Sequence, residues 1–381
     1  MTLRKFFFWL HLTAGTVAGI VILIMSVTGV LLMYQKQMTA WADGRHRFAP
    51  PSPGTERLPM EMLLARVRET RTAPPSGVTA RADPSEAVAV AYGRDIVYVN
   101  PYTGEVLGEG SKRIRAFFQF LIDWHRWLGA QGESRPAARA ITGACNIAFL
   151  FLVMSGFYLW WPRKWSWKHV SSVVTFRSGL TGRARDWNWH NVIGSWSAIP
   201  LFFVVSTALF FSYPWANTLL YKVTGSEPPA APARRPGAAA SPRGEWQLDG
   251  LSERWARAEQ QVPVWQSISL RLPPAGDATV TFAIDESSGA ARPDKRSQLT
   301  LDLNTGEVVR WEPYASHNLG RQIRLWIRWV HTGEAGGVIG QTVAGVVSAG
   351  GAVLVWTGVA LAWRRFLAWR QRKRVREEVL V

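Results

Sequence analysis

The sequence predicts an α-helical membrane protein with four transmembrane helices in two parallel repeats, carrying two small α+β outer domains. Three observations predict it. Four apolar stretches, 6–34, 140–161, 189–213 and 337–363, are each long enough to cross a bilayer, which takes about 20 apolar residues. Basic residues crowd the short segments: residues 1–5, 162–188 and 364–381 hold 15 Lys/Arg in 50 residues, while the two long loops hold 15 and 14 in 228. The third observation is internal similarity: His11-Leu-Thr-Ala-Gly15 opens one span and His190-Asn-Val-Ile-Gly194 opens another.

Each of these two spans places small residues at i+4 and i+8 from its histidine: Gly15 and Gly19, then Gly194 and Ala198. They share the histidine's face of the helix. Thr28 and Thr207 both follow at +17. A histidine above a groove of small residues, present twice, suggests a flat cofactor clamped between two helices.

Composition sets further bounds. The 21 tryptophans suit membrane interfaces, where the ring is apolar and its N–H stays wet. A net charge of +17 could indicate nucleic acid, but the basic residues flank apolar spans and read as topology signals, so no nucleic-acid partner is expected. Cys145 is the single cysteine, which excludes disulfides and cysteine metal clusters. The first apolar run is too long for a signal-peptide core and has no A-x-A site after it, so it reads as a retained span.

In chain order, residues 1–34 form transmembrane helix 1, and residues 35–110 the first outer domain. An interfacial helix over 111–130 precedes transmembrane helix 2 at 140–161. A basic cytoplasmic loop, 162–188, leads to transmembrane helix 3 at 189–213. Residues 214–316 form the second outer domain, with a Pro/Ala/Arg-rich linker at 226–245. A second interfacial helix, 317–336, transmembrane helix 4 at 337–363 and a cytoplasmic tail, 364–381, complete the chain. Short amphipathic helices are expected over 57–71 and 251–261. Asp95–Leu107 and Gln298–Val309 each alternate, turn at Asn/Thr-Gly and resume, which predicts two hairpins. The Lys/Arg bias puts both termini in the cytoplasm and both long loops outside.

Offsets support the repeat. His11 to His190 is 179 residues, Thr103 to Thr305 is 202, and His125 to His331 is 206. The jump of 23 falls at the linker. Parallel repeats are related by an axis along the membrane normal.

Four of the seven histidines then form a two-by-two set. His125 and His331 sit on the apolar faces of the interfacial helices, at the outer edge. His11 and His190 lie at the cytoplasmic edge, roughly 35 Å from the outer end of their spans at 1.5 Å per residue. His46, His169 and His317 fall in predicted loops with no paired counterpart. The competing explanations are packing histidines, a proton relay, and a copper or zinc site. Ionisable groups inside a membrane are costly and tend to be functional. No cysteine ligand pair or carboxylate accompanies these histidines in the spans, which disfavours zinc and proton pumping. Paired axial imidazoles on haem iron are the favoured account: His11 with His190, and His125 with His331, one haem per face.

Several motifs occur together: His125-Arg-Trp-Leu-Gly129, Ser155-Gly-Phe-Tyr-Leu-Trp-Trp-Pro-Arg163, Asn100-Pro-Tyr-Thr-Gly104-Glu and His331-Thr-Gly333. In combination they resemble the PepSY-associated transmembrane-helix family, over nearly the whole chain. Length and layout look most like inner-membrane ferrisiderophore reductases of the FoxB type. The first hairpin turn departs from the family's usual Asp by carrying Asn100. The resemblance implies a bacterial inner-membrane location, two b-type haems held by His11, His190, His125 and His331, PepSY-like periplasmic domains and a role in iron acquisition.

The expected activity is ferric-siderophore reduction in the periplasm by a transmembrane electron conduit. No Gly-x-Gly-x-x-Gly stretch follows a strand, so the electron donor is expected to be a separate cytoplasmic partner. Two rivals stand beside this expectation: a membrane-anchored PepSY-type regulatory or binding protein, and a siderophore permease. Neither requires a chromophore.

Overall fold

The computed structural model describes residues 2–49, 51–52, 54–71, 73–161, 166–229, 249–272, 277–288 and 292–378. It divides into a helical unit, Met1–Tyr34, Phe118–Leu219 and Ile327–Val381, and a sheet unit, Gln35–Phe117 and Leu220–Trp326.

The elements run in order α1 (Leu3–Leu32), α2 (Gln35–Asp43), α3 (Met60–Thr70), β1 (Gly77–Arg81), β2 (Val88–Tyr92), β3 (Asp95–Val99), β4 (Val106–Glu109), α4 (Lys112–Trp127), α5 (Arg135–Trp160) and α6 (Trp167–Val174). They continue as α7 (Gly182–Ser212), α8 (Pro214–Val223), α9 (Leu251–Gln261), β5 (Ser267–Arg271), β6 (Thr279–Asp285), β7 (Arg296–Asp302), β8 (Val308–Pro313), α10 (Leu319–His331) and α11 (Gly337–Glu378).

In the helical unit, α1, α5, α7 and α11 are each part of a helix long and apolar enough to cross a membrane. Each of α1 and α7 packs against both α5 and α11, so α1 and α7 face each other diagonally across the bundle. Lipid is as apolar as leucine and gives helices no hydrophobic reason to associate, so close packing of small residues has to do it. Gly333 and Gly340 meet backbone to backbone at the turn into α11, where a Cβ on either would collide with the other. The helix ends follow local chemistry. Trp161 leaves the helical region (ψ 119°) ahead of Pro162, as a residue before proline must. The chain reverses after α4 through Leu128 (φ 52°) and Gly129 (φ 78°), and the Gly129 N–H donates to Asp123 O at 3.1 Å.

Two boundaries differ from the sequence expectation. The segment expected as a tail from 364 continues α11 without a break to Glu378; nothing between Trp363 and Glu378 is Pro or Gly. The loop expected over 162–188 holds α6 and the first turns of α7. Of the linker at 226–245, residues 230–245 lie outside the described residues.

The sheet unit departs further. The two long loops do not form separate α+β domains. Their strands join one antiparallel eight-stranded sheet, ordered β4-β3-β2-β1-β5-β6-β7-β8. The centre is the β1–β5 pair, with Thr79 opposite Ser269 and their hydroxyls 2.9 Å apart. Outward from that pair, each half runs in chain order. Joining β1 to β5 removes two exposed strand edges and lets one core serve both halves. Alternation decides the face: Val280, Phe282 and Ile284 point inward on β6, while Thr281 and Ala283 are exposed. Leu63, Leu64 and Val67 of α3 and Trp255 and Ala258 of α9 close the same core. Each large apolar side chain buried there contributes roughly 1.5–3 kcal/mol. The two helices cap each other: Ser252 Oγ accepts from the Met60 N–H at 2.8 Å, and Glu61 accepts from the Ser252 N–H at 2.7 Å.

Both expected hairpins form, with matching turns. Asn100 Oδ1 accepts from the Tyr102 and Thr103 N–H groups; Asp302 Oδ1 accepts from Asn304 and Thr305 in the same way. Gly104 (φ 72°) and Gly306 (φ 71°) close the turns, in a region that favours glycine. At the base of the first hairpin, the buried Asp43 accepts from Arg115, from the Ser111 N–H and from Tyr98 Oη. Burial alone would raise this carboxyl, but those donors hold it below its ordinary range. Burial and Asp43 together push the Tyr98 hydroxyl up to about 12.

Candidate functional site

The helical unit brings four histidines together as two pairs. His11 on α1 and His190 on α7 have ring centroids 6.4 Å apart at an interplanar angle of 85°. His125, in the last turn of α4, and His331, the last residue of α10, are also 6.4 Å apart, at 59°. These are the pairs the sequence repeat predicts.

Each imidazole is held by a hydroxyl on another helix. His11 Nδ1 lies 2.8 Å from Ser155 Oγ on α5, and His190 Nδ1 lies 2.9 Å from Thr357 Oγ1 on α11. His125 Nδ1 lies 3.0 Å from Thr28 Oγ1 on α1. His331 Nδ1 lies 3.3 Å from Thr207 Oγ1 on α7 and donates to Val204 O at 2.9 Å. All four hydroxyl residues are buried.

These contacts set the tautomer. A hydroxyl has one proton to give. Each of the four gives it to the backbone carbonyl one turn back: Ser155 to Phe151, Thr28 to Ile24, Thr207 to Phe203 and Thr357 to Val353, all at 2.6–2.8 Å. Each oxygen must then accept from the imidazole, so Nδ1 carries the hydrogen. The lone pair of a neutral ring is left on Nε2, the nitrogen available to a metal. Burial, and next the neighbouring His331, pushes the His125 imidazole down to about 4. Burial lowers His331 as well. Both rings are neutral near pH 7, as a ligand requires.

Small residues make room for the rings. A Cβ on Gly156 would lie 3.2 Å from His11 Cε1, one on Gly358 3.4 Å from His190 Cε1, and one on Gly29 3.5 Å from His125 Cε1. The first pair opens into a cavity of about 690 Å³ lined by Gly15, Gly156, Gly194 and Gly358, within the usual range for cofactor sites. Arg4, Lys5, Arg183 and Arg365 also line it, so one part of a largely apolar cavity is cationic.

The remaining histidines are not drawn into either pair. His46 stacks on Tyr98 and bonds Glu109 O at 2.9 Å, a satisfied position in the sheet unit. His317 packs edge-on to Tyr314. The His169 side chain lies outside the described residues. Sequence reasoning noted Thr28 and Thr207 by offset and Ser155 within a motif but gave none of them a task, and it missed Thr357. A signal was present. Each hydroxyl precedes a small residue, in Thr28-Gly29, Ser155-Gly156, Thr207-Ala208 and Thr357-Gly358, and Ser155 to Thr357 spans the same 202 residues as Thr103 to Thr305.

Two imidazoles are the full donor set at each pair: among the described residues no three His, Cys, Asp or Glu side chains converge as a metal site. Fold and site together define a multi-pass membrane protein with a bundle of four long apolar helices, an antiparallel sheet domain and paired imidazoles among the helices. The family model for the PepSY-associated TM region matches residues 8–365, and the chain belongs to that family. No curated protein matches it.

Proposed function

We propose that this chain is a di-haem transmembrane electron conduit that reduces ferric siderophores in the periplasm, as ferrisiderophore reductases of the FoxB type do. It lies in the bacterial inner membrane with both termini cytoplasmic and the sheet unit, built from two PepSY-like halves, in the periplasm. His11 and His190 hold the inner b-type haem, and His125 and His331 the outer one. The two halves of the chain are parallel repeats.

The observation that carries this reading is the pair geometry. Both pairs stand at 6.4 Å between ring centroids, a separation that would admit one metal ion held by a nitrogen of each imidazole at about 2.0–2.1 Å. With two protein ligands per site, a macrocycle would fill a metal's other positions. The cavity of about 690 Å³ offers glycine-lined room for one, and its arginines and lysine offer partners for carboxylates.

Haem would supply one-electron redox chemistry at each pair. The chain's own residues do the rest. The hydroxyls of Ser155, Thr357, Thr28 and Thr207 aim the rings and fix their tautomers, which tunes ligand strength. Hard oxygen ligands hold Fe(III) better than Fe(II), so adding one electron to a ferric chelate frees its metal. The electron comes from a separate cytoplasmic donor.

The rivals explain less. A regulatory anchor has no use for paired imidazoles, and a permease that couples protons through these histidines would carry no haem. The dithionite-reduced spectrum of the purified protein tests the reading: two b-type haems per chain are expected, and a colourless, folded protein would favour the regulatory anchor. Reporter fusions after residues 75, 175, 235 and 381 should read out, in, out, in; another order removes the assignment of one pair to each face.

A further inference from the structure

Four arginines gather beside the second histidine pair. Arg126 follows His125 at the end of α4, and Arg328 stands one turn before His331 on α10. Arg135 opens α5 and Arg139 follows one turn later. Arg126 and Arg135 both lie over the Trp127 ring, at 4.6 and 4.4 Å from its centroid. Arg328 lies over Trp329 at 5.3 Å. Arg139 donates to Phe211 O at 2.6 Å.

Arg139, Arg135 and Arg328 all stand close enough to Arg126 to repel it; Arg126, Arg139 and Arg328 are exposed and Arg135 is half-buried. Among the described residues Arg135 alone of the four has a carboxylate partner, Asp123 at 3.6 Å. Arg135 and Arg139 also stand at the N-terminal end of α5, where the helix dipole is already positive and cations are disfavoured. The Arg135 Nε–H is enclosed and has no hydrogen-bond acceptor among the described residues. Topology needs basic residues on the other side of the membrane, so the orientation proposed above does not account for these four. Aromatic rings hold the guanidiniums in place without neutralising them. Planar, preorganised guanidinium forks suit oxyanions.

We infer that Arg126, Arg135, Arg139 and Arg328 form an oxyanion-binding site beside His125 and His331 that selects ferric chelates of net negative charge. The chelate's role as substrate rests on the reductase reading; the binding does not. Anionic chelates are drawn to the site and bound beside the second pair, while cationic chelates are disfavoured.

The test uses the full-length purified protein and gallium(III) chelates, which bind as ferric chelates do but are not reduced, so the outcome is independent of haem. The probes are an anionic gallium tris-catecholate and a cationic gallium trihydroxamate with a free ammonium group, measured by equilibrium dialysis. The parent should bind the anionic chelate at least about tenfold more tightly at low salt, with the preference collapsing by about 300 mM salt, where the screening length is short. Arg126→Gln with Arg328→Gln should weaken the anionic chelate about tenfold and leave the cationic one within about twofold. Arg328→Gln alone should weaken it about threefold, which serves if the double variant does not fold. Arg372→Gln with Arg374→Gln removes the same charge from the far end of α11 and should change nothing.

Equal binding of the two chelates by the parent would overturn the proposal. So would equal losses in the two double variants, which would reduce it to net charge. The same site chemistry could instead serve the carboxylates of haem itself. In that case the Arg126/Arg328 variant would lose or shift the redox potential of one haem with chelate binding unchanged, and that result also overturns chelate selection.

Discussion

The two histidine pairs have the same separation but are built differently. In the first, both histidines and both anchoring hydroxyls sit on the four long apolar helices: α1 to α5, and α7 to α11. In the second, the hydroxyls sit on α1 and α7, but the histidines end α4 and α10, helices that begin in the sheet unit. The first pair is therefore fixed within the bundle alone. The second depends on where two helices from outside the bundle stop, and each stops at a left-handed residue: Leu128 then Gly129 after α4, and Gly333 after α10. The same ring separation has been reached once by packing and once by termination.

The largest expected effects come from the glycines that seat the rings. Gly156→Val or Gly358→Val should displace His11 or His190 and empty the first pair, while Gly29→Val should empty the second. Haem content per chain, read as the pyridine haemochrome, should fall from two toward one in each case. Retention of two would mean that the helices yield more easily than the close approaches at these glycines suggest.

Removing the hydroxyls should have smaller effects that distinguish the pairs. Ser155→Ala, Thr357→Val and Thr28→Val should each weaken haem retention about 10–100-fold, the usual cost of losing a residue that orients a ligand. Thr207→Val should cost less than Ser155→Ala, because His331 Nδ1 keeps its bond to Val204 O at 2.9 Å, whereas the hydrogen bond given for His11 Nδ1 is the one to Ser155 Oγ. Competition for haem by apomyoglobin would rank the four. A Thr207→Val loss as large as that of Ser155→Ala would show that the carbonyl does not hold the ring.

The way the first pair is built also explains what the sequence could and could not reveal. Histidine spacing, the small residues at i+4 and i+8, and hairpin alternation are local patterns, and all were legible. The tasks of Ser155 and Thr357 were not, because each residue acts on a histidine 144 or 167 residues away and looks alone like an ordinary polar residue in a span. The union of the two outer loops was hidden for a similar reason. It rests on β1 and β5, strands of only five residues, whose pairing joins positions 190 residues apart at Thr79 and Ser269.

The smallest expected effect lies in the sheet unit. Asp43→Asn removes the charge that Arg115 faces and should cost about 2–3 kcal/mol of that unit's stability. Because folding lowers the Asp43 carboxyl below its ordinary value, its contribution is present above about pH 4 and lost as pH falls through the folded value. The gap between the thermal melts of parent and variant should therefore be full at pH 7 and narrow as pH falls below about 4. A gap that stays constant as pH falls would assign the loss to packing instead of charge.

Pairing is the central claim, and haem stoichiometry in four alanine variants tests it most directly. The parent should carry two haems. His11→Ala and His190→Ala should each leave about one and deplete the same spectral component, and the two together should do no more. His125→Ala and His331→Ala should deplete the other component. Ferric-chelate reduction should fail in all four, since either break interrupts the path. If His11→Ala depletes the component that His331→Ala depletes, the pairing is wrong; if every variant keeps two haems, these histidines are not the ligands.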